Sequence, residues 1–271
     1  MEYKIIGEIT HNTKVKTYPD GSQVMIVADH PIFREPGWEV ADEWKESSRI
    51  KSKKSDRNGK AEDLERARRR ARAAVADLGR ANAFHYFVTF TLDATKINRY
   101  DEAITVKELR RWLSHQVQRR GLVYVLVPER HQDGALHFHG LINDALPMID
   151  SGTIKRIGHK KPQRPHGTRE RAVWLDQGGQ VCYNVPAWSW GFSTALELQG
   201  DYRKAVAYVC KYIGKDSEKI GGRWYYSGGQ LMRPEASYSD TDYETVKAEC
   251  PGHEYKIDRL GVRCINIDLE E

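Results

Sequence analysis

The chain has 271 residues, 39% apolar and 10% aromatic, enough for a packed core and inconsistent with a disordered polymer. No apolar run approaches the ~20 residues of a bilayer span, and Met1-Glu2-Tyr3-Lys4 does not open a signal peptide. Cys182, Cys210, Cys250 and Cys264 form no C-x-x-C pair, so a disulfide framework and a structural zinc site are also excluded. The expected setting is the cytoplasm, with no membrane partner.

The net charge of +5 is unevenly spread: Lys51 to Arg80 holds eleven Lys/Arg against five Asp/Glu, and Ser151 to Gln180 seven against two. Leu231 to Glu271 reverses this, with five against ten. Local positive charge is what a phosphate-binding surface requires.

The first fifty residues read as short strands, with Pro19-Asp20-Gly21-Ser22 a hairpin turn ahead of Gln23 to Val27. Ser52 to Lys60 reads as a polar mobile loop. Ala61 to Leu78 predicts a helix with Leu64, Ala67, Ala71, Val75 and Leu78 on one side, and it carries Arg66, Arg68, Arg69, Arg70 and Arg72. Phe84 to Leu92 predicts a buried strand with Phe87, Thr89 and Thr91 on one face.

Val106 to Arg120 follows as a helix ended by Gly121, then Leu122 to Val127 as an apolar strand. Gln132-Asp133-Gly134 turns the chain into Ala135 to Ile142, making a β-hairpin. Asn143 to Trp190 shows little periodicity and reads as one long functional connection. Gly191 to Leu198 is a strand, and Asp201 caps a helix running to Ile213 and closed by Gly214. Arg223 to Gly229 is an aromatic strand and turn. The expected fold class is α+β, a central antiparallel sheet with flanking helices on one face. There is no GxGxxG or GxxxxGK[ST] loop for a nucleotide.

Within the hairpin, Leu136-His137-Phe138-His139-Gly140 puts two imidazoles on one face, as a pair of metal ligands must be. Glu129 ends the preceding strand, and the turn at Asp133-Gly134 brings it alongside, giving two nitrogens and one carboxylate; His131 or Asp133 could replace it. These ligand types suit Mn²⁺, Mg²⁺ or Zn²⁺. On the later helix, Val206, Val209, Cys210 and Ile213 fall on one side and Tyr208, Lys211, Tyr212 and Lys215 on the other. A tyrosine beside a metal can attack a phosphodiester, giving a 5′-phosphotyrosine and a free 3′-hydroxyl, and a second tyrosine can cleave again.

The chain resembles the rolling-circle replication initiators (Rep proteins) of phages and plasmids, in the HUH endonuclease superfamily. The likeness rests on Phe87-Val88-Thr89-Phe90-Thr91, His137-Phe138-His139 and Tyr208-Val209-Cys210-Lys211-Tyr212, in that order. Tyr183 to Trp188, Gly191-Phe192-Ser193 and Arg223 to Ser227 resemble accompanying segments. The resemblance implies an HUH endonuclease (RRM-like) core of the two-tyrosine branch. Its implied ligands for Mg²⁺ or Mn²⁺ are His137, His139 and Glu129. Tyr208 would be the nucleophile, Tyr212 the alternating second, and Lys211 a phosphate or metal-water contact.

Candidate DNA contacts are Thr89, Thr91, Lys215, Arg66, Arg69 and Arg70. Partners would be single-stranded or origin hairpin DNA and, as no Walker motif is present, a host helicase and polymerase in a bacterial cytoplasm. The sequence divides into a β-rich extension (1–50), a basic loop and helix (51–83), the endonuclease domain (84–234) and an acidic tail (235–271). A single-tyrosine transposase or relaxase, a non-catalytic DNA-binding protein and a zinc hydrolase are the competing readings.

Overall fold

The structure, a computed structural model, describes residues 10–28, 30–34, 57–199, 202–215, 218–242, 244–245, 248, 253–257 and 262–267. In chain order these form β1 (Thr10–His11), β2 (Thr13–Thr17), β3 (Gln23–Ala28), β4 (Phe33–Arg34), α1 (Arg57–Ala81), β5 (Tyr86–Thr91), α2 (Glu102–Arg120), β6 (Tyr124–Arg130) and β7 (Leu136–Ile142). There follow β8 (Ile149–Lys155), α3 (Thr168–Asp176), β9 (Gln180–Asn184), β10 (Ser193–Glu197), α4 (Tyr202–Tyr212), β11 (Tyr226–Gly228), β12 (Glu235–Ser239), β13 (His253–Ile257) and β14 (Val262–Ile267). They fall into two compact units, Met1–Glu62 with Arg233–Glu271, and Asp63–Met232.

The first unit carries a five-stranded sheet in the order β12-β2-β3-β14-β13, antiparallel throughout. Its β2–β3 hairpin turns where Pro19 to Ser22 predicts, with Gly21 at φ 81 and Thr17 opposite Gln23. The two ends of the chain, separate segments in the sequence reading, share this one sheet. Tyr3 to Ile9, residues 35–56 and Asp201 lie outside the described residues. Of the expected loop at 52–60, the described part, Arg57 to Lys60, is the beginning of α1.

The second unit is built on a seven-stranded antiparallel sheet in the order β11-β6-β7-β5-β10-β9-β8. Helices cover both of its faces, not one. Val88, Phe90, Leu126 and Phe138 pack against Leu109, Trp112 and Leu113 of α2. Val125, Val127 and Leu141, on the opposite face, pack against Val75 and Leu78 of α1 and Val206 and Val209 of α4. Each such fully buried side chain stabilises the fold by about 1.5–3 kcal/mol relative to exposure.

Local chemistry sets the boundaries. Asp101 accepts from the amide of Ile104 and starts α2 four residues before the apolar pattern does, and Gly121, at φ 70, ends it. Strand β6 runs through Pro128 because its neighbour β11 pairs only with Tyr124, Val125 and Leu126, leaving the missing N–H on an open edge. The segment Asn143 to Trp190 is not one long connection but holds β8, α3 and β9. Strand β8 is hard to read because Ile149–Lys155 is polar and bulged between Asp150 and Thr153, with Gly152 at φ 73.

Candidate functional site

His137 and His139 sit on β7, the strand between β5 and β6, and both are partly exposed while Leu136, Phe138 and Gly140 are buried. Register then supplies their neighbours. Thr89 pairs with His139 and Thr91 with His137 on one side, and Val127 with His139 and Glu129 with His137 on the other. Residues opposite one another in an antiparallel pair share a face, so the threonines, imidazoles and carboxylate converge.

The side chains use that placement. Thr89 Oγ1 lies 3.0 Å from His139 Nδ1, and Thr91 Oγ1 3.3 Å from His137 Nδ1. Each imidazole is therefore oriented through Nδ1, leaving Nε2 toward the site, which is how ligating histidines are commonly held. Burial, together with the neighbouring His131 and His139, keeps the His137 ring below its ordinary pKa and thus neutral, the form that can ligate.

Glu129 reaches past its direct partner: Oε2 is 2.9 Å from His139 Nε2 and Oε1 is 2.9 Å from Lys215 Nζ. Burial alone would push this carboxyl up, but those two hydrogen bonds and the adjacent charges overcome it and hold the group down at about 2. It is ionised throughout the neutral range. His131 stacks on His137, with ring centroids 5.0 Å apart, whereas Asp133 pairs with Arg99 at 2.9 Å. Among the described residues no group of three His, Cys, Asp or Glu side chains is already gathered around one point as a metal set. The donors nevertheless suit Mg²⁺ or Mn²⁺: an ionised carboxylate and two imidazoles tethered at Nδ1.

The tyrosine helix α4 lies over this face. Tyr212 is on its packed side, 7% exposed, with its ring stacked on His139 at 4.1 Å and 15°. This corrects the expectation that both tyrosines face a polar space with Lys211. Tyr212 follows Val209 by three residues, only about 60° around the helix, and so joins the apolar stripe. Its hydroxyl donates to the Tyr208 hydroxyl at 2.8 Å. Burial first, then Tyr208 and Glu129, raise the Tyr212 phenol well above its ordinary pKa.

Tyr208 is 47% exposed and packs edge-on against Phe87 at 5.4 Å. Phe87 in turn stacks on His139 at 6.3 Å and links nucleophile candidate to imidazole. Lys211 is exposed, its Nζ 5.9 Å from the centre of the Tyr208 ring. Lys215, expected as a DNA contact, instead holds Glu129 and sits 4.1 Å over the Tyr212 ring.

Helix α1 positions α4 at both ends. The Tyr202 hydroxyl donates to the carbonyls of Gly79 and Asn82, each at 2.8 Å, and Arg72 donates twice to the carbonyl of Ile213, at 3.1 and 2.9 Å. Between them a Cβ on Gly79 would meet Val206 at 2.5 Å, so glycine permits the close approach. The arginines of α1 thus divide: Arg72 holds α4, while Arg66, Arg69 and Arg70 are exposed and Arg66 pairs with Asp63 at 3.1 Å.

Beside the tyrosines runs a groove of about 710 Å³ lined by Thr89, His139, Thr194, Lys155, Lys160 and Lys204. Sequence reasoning singles out none of these lysines, nor Phe87, Arg72 or Tyr202 as site residues. The signal available is the charge excess of Ser151 to Gln180, which contains Lys155 and Lys160.

Residues 85–217 match the family of replication-associated proteins of the ORF2 type. The match covers β5 through α4, including every residue of the imidazole, carboxylate and tyrosine cluster. No curated protein and no solved structure matches the chain. Among the described residues no helix is long and apolar enough to cross a membrane.

Proposed function

We propose that the chain is a divalent-metal-dependent endonuclease and strand transferase of the HUH superfamily. It nicks and rejoins single-stranded DNA at a replication origin, through a 5′-phosphotyrosine, to start rolling-circle replication. The observation that carries this reading is the stack of Tyr212 on His139, which brings the Tyr208 hydroxyl within one hydrogen bond of a ring on the imidazole and carboxylate face. The match to a replication-associated family supports it.

His137, His139 and Glu129 would hold Mg²⁺ or Mn²⁺, which when bound polarises a non-bridging phosphate oxygen and eases attack at phosphorus. Tyr208, the exposed member of the pair, gives up its phenol proton as its oxygen bonds to phosphorus. The P–O3′ bond breaks, and the 3′ oxygen gains a proton and leaves as a hydroxyl. Thr89 and Thr91 orient the imidazoles. Lys155, Lys160 and Lys204 attract the phosphate backbone along the groove. The 3′-hydroxyl is a primer, to be extended by a host polymerase behind a host helicase in the bacterial cytoplasm.

Incubation with a labelled origin oligonucleotide and Mn²⁺ should give an SDS-resistant adduct that Tyr208→Phe abolishes. If wild-type protein forms no adduct with any single-stranded substrate, the nickase reading fails. The burial of Tyr212 favours a second reading, a single-tyrosine transposase or relaxase in which Tyr212 only positions Tyr208.

A further inference from the structure

Phe192 is 75% exposed. Single exposed apolar side chains are common on protein surfaces, so exposure alone means little. The position of this one is more informative. Ser193 pairs with Phe90 and Thr194 with Thr89, and the Thr91 amide donates to the Phe192 carbonyl at 2.9 Å, continuing the register by one step. Side chains alternate along an extended chain, so Phe192 takes the face of Thr194, which is the face of Thr89 and His139.

One row across four neighbouring strands therefore reads Glu129, His137, Thr91, Phe192. With strands about 4.8 Å apart, the Phe192 backbone lies about 10 Å from that of His137. Leu196 and Thr194, on the same face of β10, line the groove, and Phe192 is next in that series.

The mount is also stiff. A Cβ on Gly191 would lie 2.1 Å from the Thr91 carbonyl oxygen, so glycine lets the chain press directly onto the end of β5. The Asp93 amide donates to the Trp190 carbonyl at 2.8 Å, and the Trp188 indole to the Thr91 carbonyl at 3.0 Å. An exposed aromatic ring on a fixed backbone, level with the imidazoles and at the end of a basic groove, is the arrangement of a stacking surface for bases.

We infer that Phe192 is a positioning residue that stacks a base of the bound single strand, flanking the nucleotide whose phosphate meets His137 and His139. This rests on the single-strand reading above. Stacking tolerates any base, so Phe192 fixes the strand's path without selecting sequence.

The test uses full-length Tyr208→Phe protein without divalent metal and mixed-sequence single strands carrying one 2-aminopurine at successive positions. Binding should quench the probe at one position. Adding Phe192→Ala should abolish that quenching and weaken Kd about tenfold or more, while Phe192→Trp restores both. Equal Kd and equal quenching with and without Phe192→Ala overturn the inference, as does a weaker Kd with an unchanged quenching pattern. Absence of any single-strand binding overturns it outright. The adduct experiment uses Phe192 intact, so failure of the nickase reading and failure of this inference are read separately.

Discussion

The ring of Tyr212 lies on the imidazole of His139, with centroids 4.1 Å apart and planes 15° from parallel, while its hydroxyl donates to Tyr208 at 2.8 Å. One side chain thus contacts both halves of the site, by its face and by its tip. The two contacts separate by substitution. Tyr212→Phe keeps the stack and loses one hydrogen bond, so adduct formation should remain within about tenfold of wild type. If Tyr212 is a second nucleophile, rejoining to a second strand is lost in the same protein; if it only positions Tyr208, both steps slow together. Tyr212→Ala removes a buried ring and should cost about 3 kcal/mol of stability along with most adduct formation.

Lys215 and a metal ion would contend for the same carboxylate, because Glu129 Oε1 already accepts from Lys215 Nζ at 2.9 Å. Lys215 is half exposed, so its hold is modest, within the about 0.2–1 kcal/mol of surface ion pairs. Lys215→Met should therefore tighten Mn²⁺ binding about two- to fivefold. Titration of free Mn²⁺ by electron paramagnetic resonance reads this without DNA or turnover. Glu129→Gln should weaken binding in the same assay, and an unchanged Mn²⁺ affinity in both would remove Glu129 from the ligand set.

The parts of this site readable in the sequence are those governed by short-range periodicity. Alternation puts His137 and His139 on one face, and a hairpin turn at Gly134 makes Glu129 the partner of His137, as the register has it. A helical wheel misplaces Tyr212 because it gives angles but not what lies opposite them. The residue lies at the edge of the apolar stripe, and the adjacent His139 ring decides that it packs. The roles of Arg72 and Tyr202 depend on α1 meeting α4, a contact between segments more than a hundred residues apart that no local pattern records. Strand β8 escapes the apolar pattern through its polarity. The two-sided covering of the sheet is signalled by the unbroken apolar run Leu122 to Val127, since strands buried on both faces lose their alternation.

Gly140 tests whether the imidazole strand tolerates any widening. A Cβ there would lie 1.9 Å from the Val125 carbonyl oxygen and 2.8 Å from the Leu126 Cα, both backbone atoms that cannot rotate away. Gly140→Ala must move β6 from β7, and with it Glu129 from His137. Overpacking of this kind costs about 1–3 kcal/mol or more, so the midpoint of urea unfolding should fall and Mn²⁺ affinity with it. A variant as stable as wild type would show that the two strands can separate freely.

Tyr202 gives the fold a specific alkaline limit. Its phenol oxygen lies between the carbonyls of Gly79 and Asn82, and burial pushes its pKa from the ordinary 10.0 up to about 12. The neutral phenol is the form the folded state holds. Below pH 10 both states keep the proton and the contribution is complete; between about 10 and 12 the unfolded chain has lost it and the folded protein has not. The unfolded state binds fewer protons in that window, so stability falls as pH rises through it. Tyr202→Phe should be less stable than wild type by about 1 kcal/mol at pH 8, for the lost hydrogen bonding. Having no proton to lose, it should close that gap between pH 10 and 12. Urea unfolding of both proteins across that range measures the gap, and a gap that stays constant would mean that Tyr202 ionises alike folded and unfolded.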